Sequence, residues 1–265
     1  MVSGVREPGV RELGVRELGV VVPARDEEEL LPACLSALRV ASADPALDDV
    51  RVRVVVVTDG CTDRTAQLAR AGGAVVLDGG GPGGNVGAAR DTGVRRLLTD
   101  AEAVGVPPEA VWVATTDADS TVPPEWLALH RAAAASGADA LVGTVTVPDW
   151  TGVPPGAAAQ FEAAYRAGRS RLERAASSPT HPAPAHPHVH GAHLGVRGSA
   201  YLAVGGFPAV RVGEDVALVR ALDAAGATVL RTLAGPVRTS ARRRPRAPGG
   251  FGSDIDRLVT GLDAG

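Results

Sequence analysis

Lysine is absent from this chain: all 27 basic side chains among its 265 residues are arginine. Chemistry that depends on a lysine Schiff base is therefore excluded, and so is the lysine-containing phosphate loop of many nucleotide hydrolases. Aromatic residues make up only 3% of the sequence. Because 45% of the residues are hydrophobic, the chain can still bury a core, which valine, leucine and alanine must fill.

The chain also has few cysteines and a small net charge. The two cysteines, Cys34 and Cys61, are too few for a disulfide framework or a cysteine zinc site. The net charge of −3 gives no general reason to expect a nucleic-acid partner. No apolar run approaches the roughly 20 residues that span a bilayer, and arginine and glutamate recur where a secretion signal would be apolar. We therefore expect a cytoplasmic enzyme, with at most peripheral contact at the inner face of the plasma membrane.

The two ends of the chain differ from its middle in composition. The unit Gly-Val-Arg-Glu begins at Gly4, Gly9 and Gly14, and three copies are too few for a repeat fold. We interpret residues 1–18 as a low-complexity extension, either disordered or upstream of the true start codon, and we predict one domain over residues 19–240. Residues 241–265 are a basic, proline- and glycine-rich tail with a weak helix.

Apolar runs and helical periods alternate through the first half of the domain. Strands are predicted at Gly19–Val22, Val52–Val57, Ala74–Leu77, Val111–Thr115 and Ala140–Val147. Helices are predicted between them at Glu27–Val40, Thr65–Ala71, Val86–Leu98 and Pro124–Ala135. This alternation predicts an α/β fold with a mostly parallel central sheet, which binds its ligands at the carboxyl ends of the strands.

The pattern changes after Pro148. A long helix is predicted over Gly156–Ala176, followed by a loop rich in proline and histidine over Ser177–His190. A strand near Ala192–Arg197, a helix over Glu214–Ala225 and a strand over Thr228–Leu230 complete the domain.

The strongest chemical signal is the segment Asp117-Ala-Asp119, directly after the strand Val111–Thr115. Two neighbouring carboxylates at a strand end repel each other unless a positive group joins them. Mg²⁺ or Mn²⁺ would do so, because these hard cations prefer carboxylate oxygens together with the phosphates of a substrate. The alternative is a turn that caps the next helix, but the position at the end of a central strand favours the metal.

Four segments together resemble the family 2 glycosyltransferases, which have the GT-A fold, and the similarity runs from about Gly19 to Arg238. One of them, Val54-Val-Val-Val-Thr-Asp-Gly-Cys-Thr-Asp-Arg-Thr65, is similar to the family's Asp-Gly-Ser-Thr-Asp-x-Thr, with Cys61 in place of serine. The other three are Val20–Glu28, Asp117–Asp119 and Gly205–Leu218. The resemblance implies a single GT-A domain, Rossmann-like, that transfers a hexose from a UDP- or GDP-sugar to a hydroxyl group with inversion, assisted by Mn²⁺ or Mg²⁺.

The resemblance also implies roles for individual residues. Asp117 and Asp119 would hold the metal, and Asp215 would be the general base, with Glu214 as the adjacent candidate for that role. Asp59 would bind the donor base or ribose, although a turn residue would look the same. The nucleotide-binding set would be Pro23, Ala24, Asp26, Glu28, Asp59, Arg90 and Asp117. Some metal-dependent relatives supply a further histidine ligand downstream, and this chain has none there.

Five of the six histidines lie within residues 181–193. A zinc site is one interpretation, but the spacing suits no regular helix and no cysteine assists. A lid or acceptor loop is the other, with His188, His190 and Trp126 on the acceptor side. The five arginines within residues 238–246 would neutralise a diphosphate, attract anionic lipid or simply be solvated.

Two other functions compete with sugar transfer. A sugar-phosphate nucleotidyltransferase shares the nucleotide-binding architecture, but its opening strand is followed by a glycine-rich loop with Arg and Lys, which this chain lacks. An inactive nucleotide-sugar-binding protein is the other, and the acidic residues Asp117, Asp119 and Asp215 favour an enzyme. The sequence does not disclose whether the acceptor is a small metabolite or lipid-linked.

Overall fold

The computed structural model describes residues 14–79, 83–151, 153, 156–163, 166–167 and 186–241. The remaining parts of the predicted extension, long helix, histidine-rich loop and tail lie outside the described residues. None of the described helices combines the length and the apolar character that crossing a membrane requires.

The described chain alternates strands and helices, as the sequence predicts. The strands are β1 Glu17–Ala24, β2 Arg51–Thr58, β3 Val75–Asp78, β4 Val111–Thr115, β5 Ala140–Val142, β6 Val145–Thr146, β7 Leu194–Arg197, β8 Val229–Arg231 and β9 Val237–Arg238. The α-helices are α1 Leu31–Ala41, α2 Thr65–Ala71, α3 Val86–Ala103, α4 Trp126–Ala135, α5 Gly198–Ala203 and α6 Glu214–Ala224. Residues 157–163 are also helical, and short 3₁₀ turns lie at Pro45–Leu47, Pro108–Ala110 and Gly191–His193.

One sheet of seven strands, in the order β3-β2-β1-β4-β7-β5-β8, organises the domain. The strands β1 to β4 pair in parallel, as do β5 and β8. Strand β7 is antiparallel to both of its neighbours, β4 and β5. A separate parallel pair joins β6 to β9. The predicted α/β fold with a mostly parallel central sheet is therefore confirmed.

Both faces of the sheet are covered, which is why its strands are so apolar. Side chains of β1 alternate between the faces: Val20 packs with α1 and α4, and Val21 packs with α3. The carboxyl ends of β1, β2 and β4 consequently open side by side between the two layers of helices.

The structure moves several of the predicted boundaries; α1, for example, begins at Leu31 rather than Glu27, and α4 at Trp126 rather than Pro124. Strand β1 begins at Glu17, two residues before the predicted start, because Leu18 is fully buried and Glu17 forms an ion pair with Arg53. Helix α3 extends to Ala103, since its last turn still buries Ala101. The strand predicted over Ala140–Val147 is divided into β5 and β6.

The division falls at Gly143, where the chain leaves the central sheet. The Gly143 N–H donates to the carbonyl of His193 over 2.9 Å. A Cβ atom at this position would overlap the imidazole of His193, so the close approach requires glycine.

Two histidines, His130 and His193, are fully buried in the core, with ring centroids 5.6 Å apart. Burial lowers the pKa of His193 to about 4 and that of His130 well below its ordinary value, and each is lowered further by a neighbouring histidine. Both are therefore neutral in the folded protein at physiological pH.

This burial predicts acid destabilisation well above the pKa of ordinary carboxylates. Unfolded histidine takes up a proton near pH 6.5, whereas folded His193 resists protonation down to about pH 4. The unfolded state thus binds more protons in this window, so the free energy of unfolding should fall as the pH is lowered from about 6.5 to 4. At about 1.4 kcal/mol per pH unit, His193 alone accounts for about 3 kcal/mol.

Urea denaturation at several pH values measures this loss. The control is His193→Asn, because the asparagine amide can replace the Nδ1 donor but does not titrate; its stability should depend less steeply on pH. A free energy of unfolding that stays constant between pH 7 and 4.5 would contradict the burial of neutral histidines.

Candidate active site

The turns that follow β1 and β2 are joined to each other at the carboxyl edge of the sheet. The carbonyl of Ala24 accepts hydrogen bonds from the Asp59 N–H over 2.8 Å and from the Cys61 thiol over 3.2 Å. Because Cys61 donates as a serine would, its replacement of the family's serine preserves this link. Pro23 and Ala24, two of the predicted nucleotide-binding residues, end β1 at this joint.

The first turn directs two carboxylates towards the second. Asp26 has a left-handed φ of 50°, a conformation that costs a non-glycine residue energy. Its Oδ1 accepts hydrogen bonds from the backbone and the hydroxyl of Thr62, over 2.7 and 3.2 Å. Glu28 accepts from the backbone and the guanidinium of Arg64, each over 3.1 Å. Both acids therefore shape the joint between the turns, and their contact with a nucleotide stays a prediction.

Asp59 lies at the end of β2 against the beginning of α3. Its Oδ2 accepts from the N–H groups of Gly84 and Asn85 over 2.7 and 3.0 Å. Gly84 has a φ of 81°, which only glycine adopts readily. Asn85 in turn caps α3 by accepting from the N–H of Ala88 over 3.0 Å.

A buried arginine, Arg90 on α3, occupies the centre of the site. Its guanidinium forms ion pairs with Asp117, which follows β4, and with Glu214, which begins α6. Burial lowers the pKa of Arg90, but the carboxylates Asp117, Glu214 and Asp215 outweigh burial and raise it above its usual value. Arg90 is thus a permanent positive charge shared by acids from two distant parts of the sequence.

The two adjacent acids of α6 occupy different surroundings. Glu214 is only 4% exposed. Burial raises the pKa of Glu214, while Arg90 opposes the shift. Asp215 is partly exposed, and its Oδ2 accepts from the N–H of Gly191 over 2.8 Å. Asp215 is therefore the more accessible of the two carboxylates, and Glu214 is paired with Arg90.

Gly191 is a site residue that the sequence analysis missed. Its carbonyl accepts from the hydroxyl of Thr115 over 2.6 Å, and a Cβ at this position would overlap the guanidinium of Arg90. A lone glycine between His190 and Ala192 carries no local signal of this role, because the partners come from β4, α3 and α6.

The loop before α6 is fastened to the beginning of α3. The N–H of Gly87 donates to the carbonyl of Val210 over 3.1 Å, and the Asn85 amide donates to the carbonyl of Ala209 over 3.2 Å. A Cβ at Gly87 would overlap the carbonyl of Pro208. The beginning of α3, whose backbone binds Asp59, thus also holds the loop that leads to Asp215.

Asp117 and Asp119 have the donor set of a site for a hard cation. Both are partly exposed at the end of β4. The hydrogen bond from Arg90 goes to Oδ1 of Asp117, and within the described residues no hydrogen bond goes to its Oδ2. Burial raises the pKa of the Cys34 thiol, which donates to the carbonyl of Asp117 over 3.5 Å, and the charges of Asp117 and Asp119 raise it further.

The chain downstream of β9 closes the Asp119 side of the site. Thr121 pairs with Arg238 in an isolated bridge, and the Ser120 hydroxyl donates to that of Thr239 over 3.0 Å. The arginine-rich segment therefore begins with Arg238 beside the turn that carries Asp119, and its role stays a prediction. The other four arginines lie outside the described residues.

The histidines of residues 186–193 separate into two groups. His186, His188 and His190 form a row of nearly parallel rings, with successive centroids 6.2 and 6.1 Å apart. Among the described residues, the one group of three ligand atoms close enough for a metal is Asp26, Cys61 and Asp63, so the histidine row offers no such zinc site. His193 lies in the core instead.

Trp126, expected on the acceptor side, is a core residue. It begins α4 and is fully buried against His130, with ring centroids 4.5 Å apart. The expectation was wrong because the ring packs into the apolar core that α1 and α4 form with the sheet, where no acceptor can reach it.

Comparison with solved structures finds the same fold in several glycosyltransferases. TarS 1–349 of S. aureus, in complex with UDP-GlcNAc, has a TM-score of 0.59 at 16% identity, over 92% of this chain and 65% of that one. The mannosyltransferase PcManGT of Pyrobaculum calidifontis, with GDP-Man and Mn²⁺, has a TM-score of 0.56 at 19% identity, over 86% and 58%. This chain spans less than two thirds of either.

A third structure is covered more fully. Glucosyl-3-phosphoglycerate synthase of Mycobacterium tuberculosis, with Mn²⁺, UDP and glucosyl-3-phosphoglycerate, has a TM-score of 0.53 at 18% identity, over 94% of this chain and 79% of that one. The likeness confirms the predicted GT-A fold. Comparison with curated protein sequences finds no match.

The family assignment rests on the sequence itself. The family model described as "Glycosyl transferase family 2" matches residues 19–187. This span is well over half of the chain, and it includes the turn at Asp59, the arginine Arg90 and the Asp117-Ala-Asp119 segment. The chain therefore belongs to glycosyl transferase family 2.

Proposed function

We propose that this chain transfers a hexose from a UDP- or GDP-sugar to a hydroxyl acceptor, with inversion at the anomeric carbon. The observation that carries the proposal is the ion-pair system of Arg90, which joins Asp117 on the donor side to Glu214, next to the partly exposed Asp215. Charge for a diphosphate and a carboxylate for an acceptor thus converge at one edge of the sheet.

The donor's nucleoside belongs beside Asp59 and the first turn. The structures of similar fold support this part, since TarS is in complex with UDP-GlcNAc and PcManGT with GDP-Man. In this chain, Asp59 already orders the beginning of α3 through Gly84 and Asn85, and the partly exposed Pro23, Asp26 and Glu28 form the neighbouring rim. A nucleoside bound there would lie within reach of the diphosphate site at Asp117.

Asp117 and Asp119 would hold Mn²⁺ or Mg²⁺. The fit rests on two partly exposed carboxylates; in Asp117 the hydrogen bond from Arg90 goes to Oδ1, so Oδ2 can serve the ion. The bound cation would neutralise the charge that develops on the leaving diphosphate. PcManGT and the mycobacterial synthase are both in complex with Mn²⁺, which supports a divalent ion in this fold.

Asp215 would act as the general base. As the acceptor oxygen forms its bond to the anomeric carbon, the bond from that carbon to the phosphate oxygen breaks, and the nucleoside diphosphate leaves with the electron pair. The hydroxyl proton passes to the Asp215 carboxylate. The Gly191 N–H orients this carboxylate, and Glu214 fixes the start of α6 through Arg90.

The acceptor site would lie on the side of residues 186–191, which end at Gly191 beside the base. His188 and His190 are partly exposed and border that side. We assign them to the rim of the acceptor site, and leave the chemical class of the acceptor, small metabolite or lipid-linked, to experiment.

The metal assignment predicts that nucleotide binding depends on Asp119. In Mn²⁺, Asp119→Ala should weaken the binding of UDP or GDP by about 10–100-fold or more, the loss typical even of residues that only support a metal ligand. Isothermal titration calorimetry with and without EDTA measures it. The control is Asp48→Ala, an exposed acid three residues before β2, at the opposite edge of the sheet; it should bind normally. Equal affinity of the parent chain in Mn²⁺ and in EDTA would refute the metal role.

The base assignment predicts different losses for the two adjacent acids. Asp215→Asn should lower the rate of nucleoside diphosphate release from UDP-glucose or GDP-mannose, with water as acceptor, by about 10²–10⁴-fold. Its affinity for UDP or GDP in Mn²⁺ should not change, because Asp215 contacts neither Asp117 nor Arg90 directly. Glu214→Gln should instead lower the melting temperature, because it removes the buried partner of Arg90.

Two other outcomes would contradict the assignment of Asp215 as the base. If Glu214→Gln abolishes turnover while keeping its fold and nucleotide affinity, and Asp215→Asn turns over at the parental rate, the base is Glu214. If both variants react at the parental rate, these acids only shape the helix.

A further inference from the structure

Within the described part of the chain, three neighbouring polar atoms of the core lack a hydrogen-bond partner, although their side chains are fully buried. They are Nε2 of His130, Nε2 of His193 and Nε1 of Trp126. The three rings contact one another: centroids are 4.5 Å apart for Trp126 and His130, 5.6 Å for the two histidines and 5.7 Å for Trp126 and His193. Buried polar groups of native proteins are almost always satisfied, so three orphans in one cluster need an explanation.

The other nitrogen of each histidine fixes where its single proton lies. Nδ1 of His193 is 3.2 Å from the carbonyl of Thr144, which can only accept, so Nδ1 carries the hydrogen and Nε2 is left as an acceptor. Nδ1 of His130 accepts from the indole N–H of Trp112 over 3.1 Å, so the hydrogen of His130 lies on Nε2. The two neighbouring histidines are therefore opposite tautomers.

The orphaned atoms thus form a set of two donors and one acceptor. His130 Nε2–H and the Trp126 indole N–H donate, and His193 Nε2 accepts. A metal cation does not fit this set, because two of the three atoms present hydrogens. A water molecule fits it, since its oxygen can accept both hydrogen bonds while one of its hydrogens is donated to His193.

We propose that His130, Trp126 and His193 form an internal water-binding site that joins α4 to the turn Gly191–His193. The site does not depend on the proposed function, because it is defined by tautomers and hydrogen bonds in the core. It bears on the active site through the chain: His193 lies two residues after Gly191, whose N–H holds Asp215. The bound water would complete the hydrogen bonds between α4 and this turn.

Nitrogen NMR of the unaltered protein, labelled with ¹⁵N in histidine and tryptophan, tests the proposal. We expect His130 to be protonated on Nε2 and His193 on Nδ1, and we expect cross-peaks from a long-lived water to the Nε-bound hydrogens of His130 and Trp126. A crystal structure should contain one water at about 2.7–3.2 Å from all three nitrogens.

A matched pair of variants separates the water from general packing. His130→Gln places an amide N–H near the position of Nε2 and should retain the water cross-peak to Trp126. His130→Asn places its oxygen near the position of Nδ1, so it can still accept from Trp112, but it does not reach the water and should lose that cross-peak. Identical tautomers in the unaltered protein, a direct hydrogen bond between the two histidines, a dry cluster or an anomalous metal signal would each overturn the proposal.

Discussion

The buried guanidinium of Arg90 is the constraint on which the rest of the site depends. It lies 124 residues from Glu214 in sequence and 27 from Asp117, yet it pairs with both. A buried charge costs several kcal/mol unless it is paired, so the acids must stay where they are as long as Arg90 is buried. The carboxyl end of β4, the beginning of α6 and the turn at Gly191 are thereby held around one group.

The ion pairs of Arg90 also give neighbouring acids different surroundings. Glu214 and one oxygen of Asp117 form ion pairs with Arg90, whereas Asp215 and Asp119 are partly exposed. In each of the two pairs, Glu214 with Asp215 and Asp117 with Asp119, one residue is held by Arg90 and the other is accessible to a ligand. In this account Arg90 couples the donor side to the acceptor side without itself carrying out a chemical step.

Local patterns predicted what depends on local physics. The β-branched residues Val54–Thr58 favoured the strand β2, and α2 has its predicted bounds because Asp63 accepts from the N–H of Thr65 at its start. The acids that the structure brings together around Arg90 were among the predicted residues, since strand ends and family motifs mark them, and their roles stay predictions. Local patterns did not predict four other features. These are the antiparallel insertion of β7 between β4 and β5, the break at Gly143, the inward ring of Trp126 and the close approach of Gly191 to Arg90. Each of these depends on tertiary partners that no short window of sequence contains.

A crystal structure with Mn²⁺ and UDP or GDP tests the central claim most directly. The account predicts the ion on Asp119 and on Oδ2 of Asp117, the diphosphate against it, Arg90 still paired with Glu214, and Asp215 facing the open side of the sugar site. A nucleotide bound away from the carboxyl edge of β4, or one bound there while Arg90 has left Glu214, would contradict it.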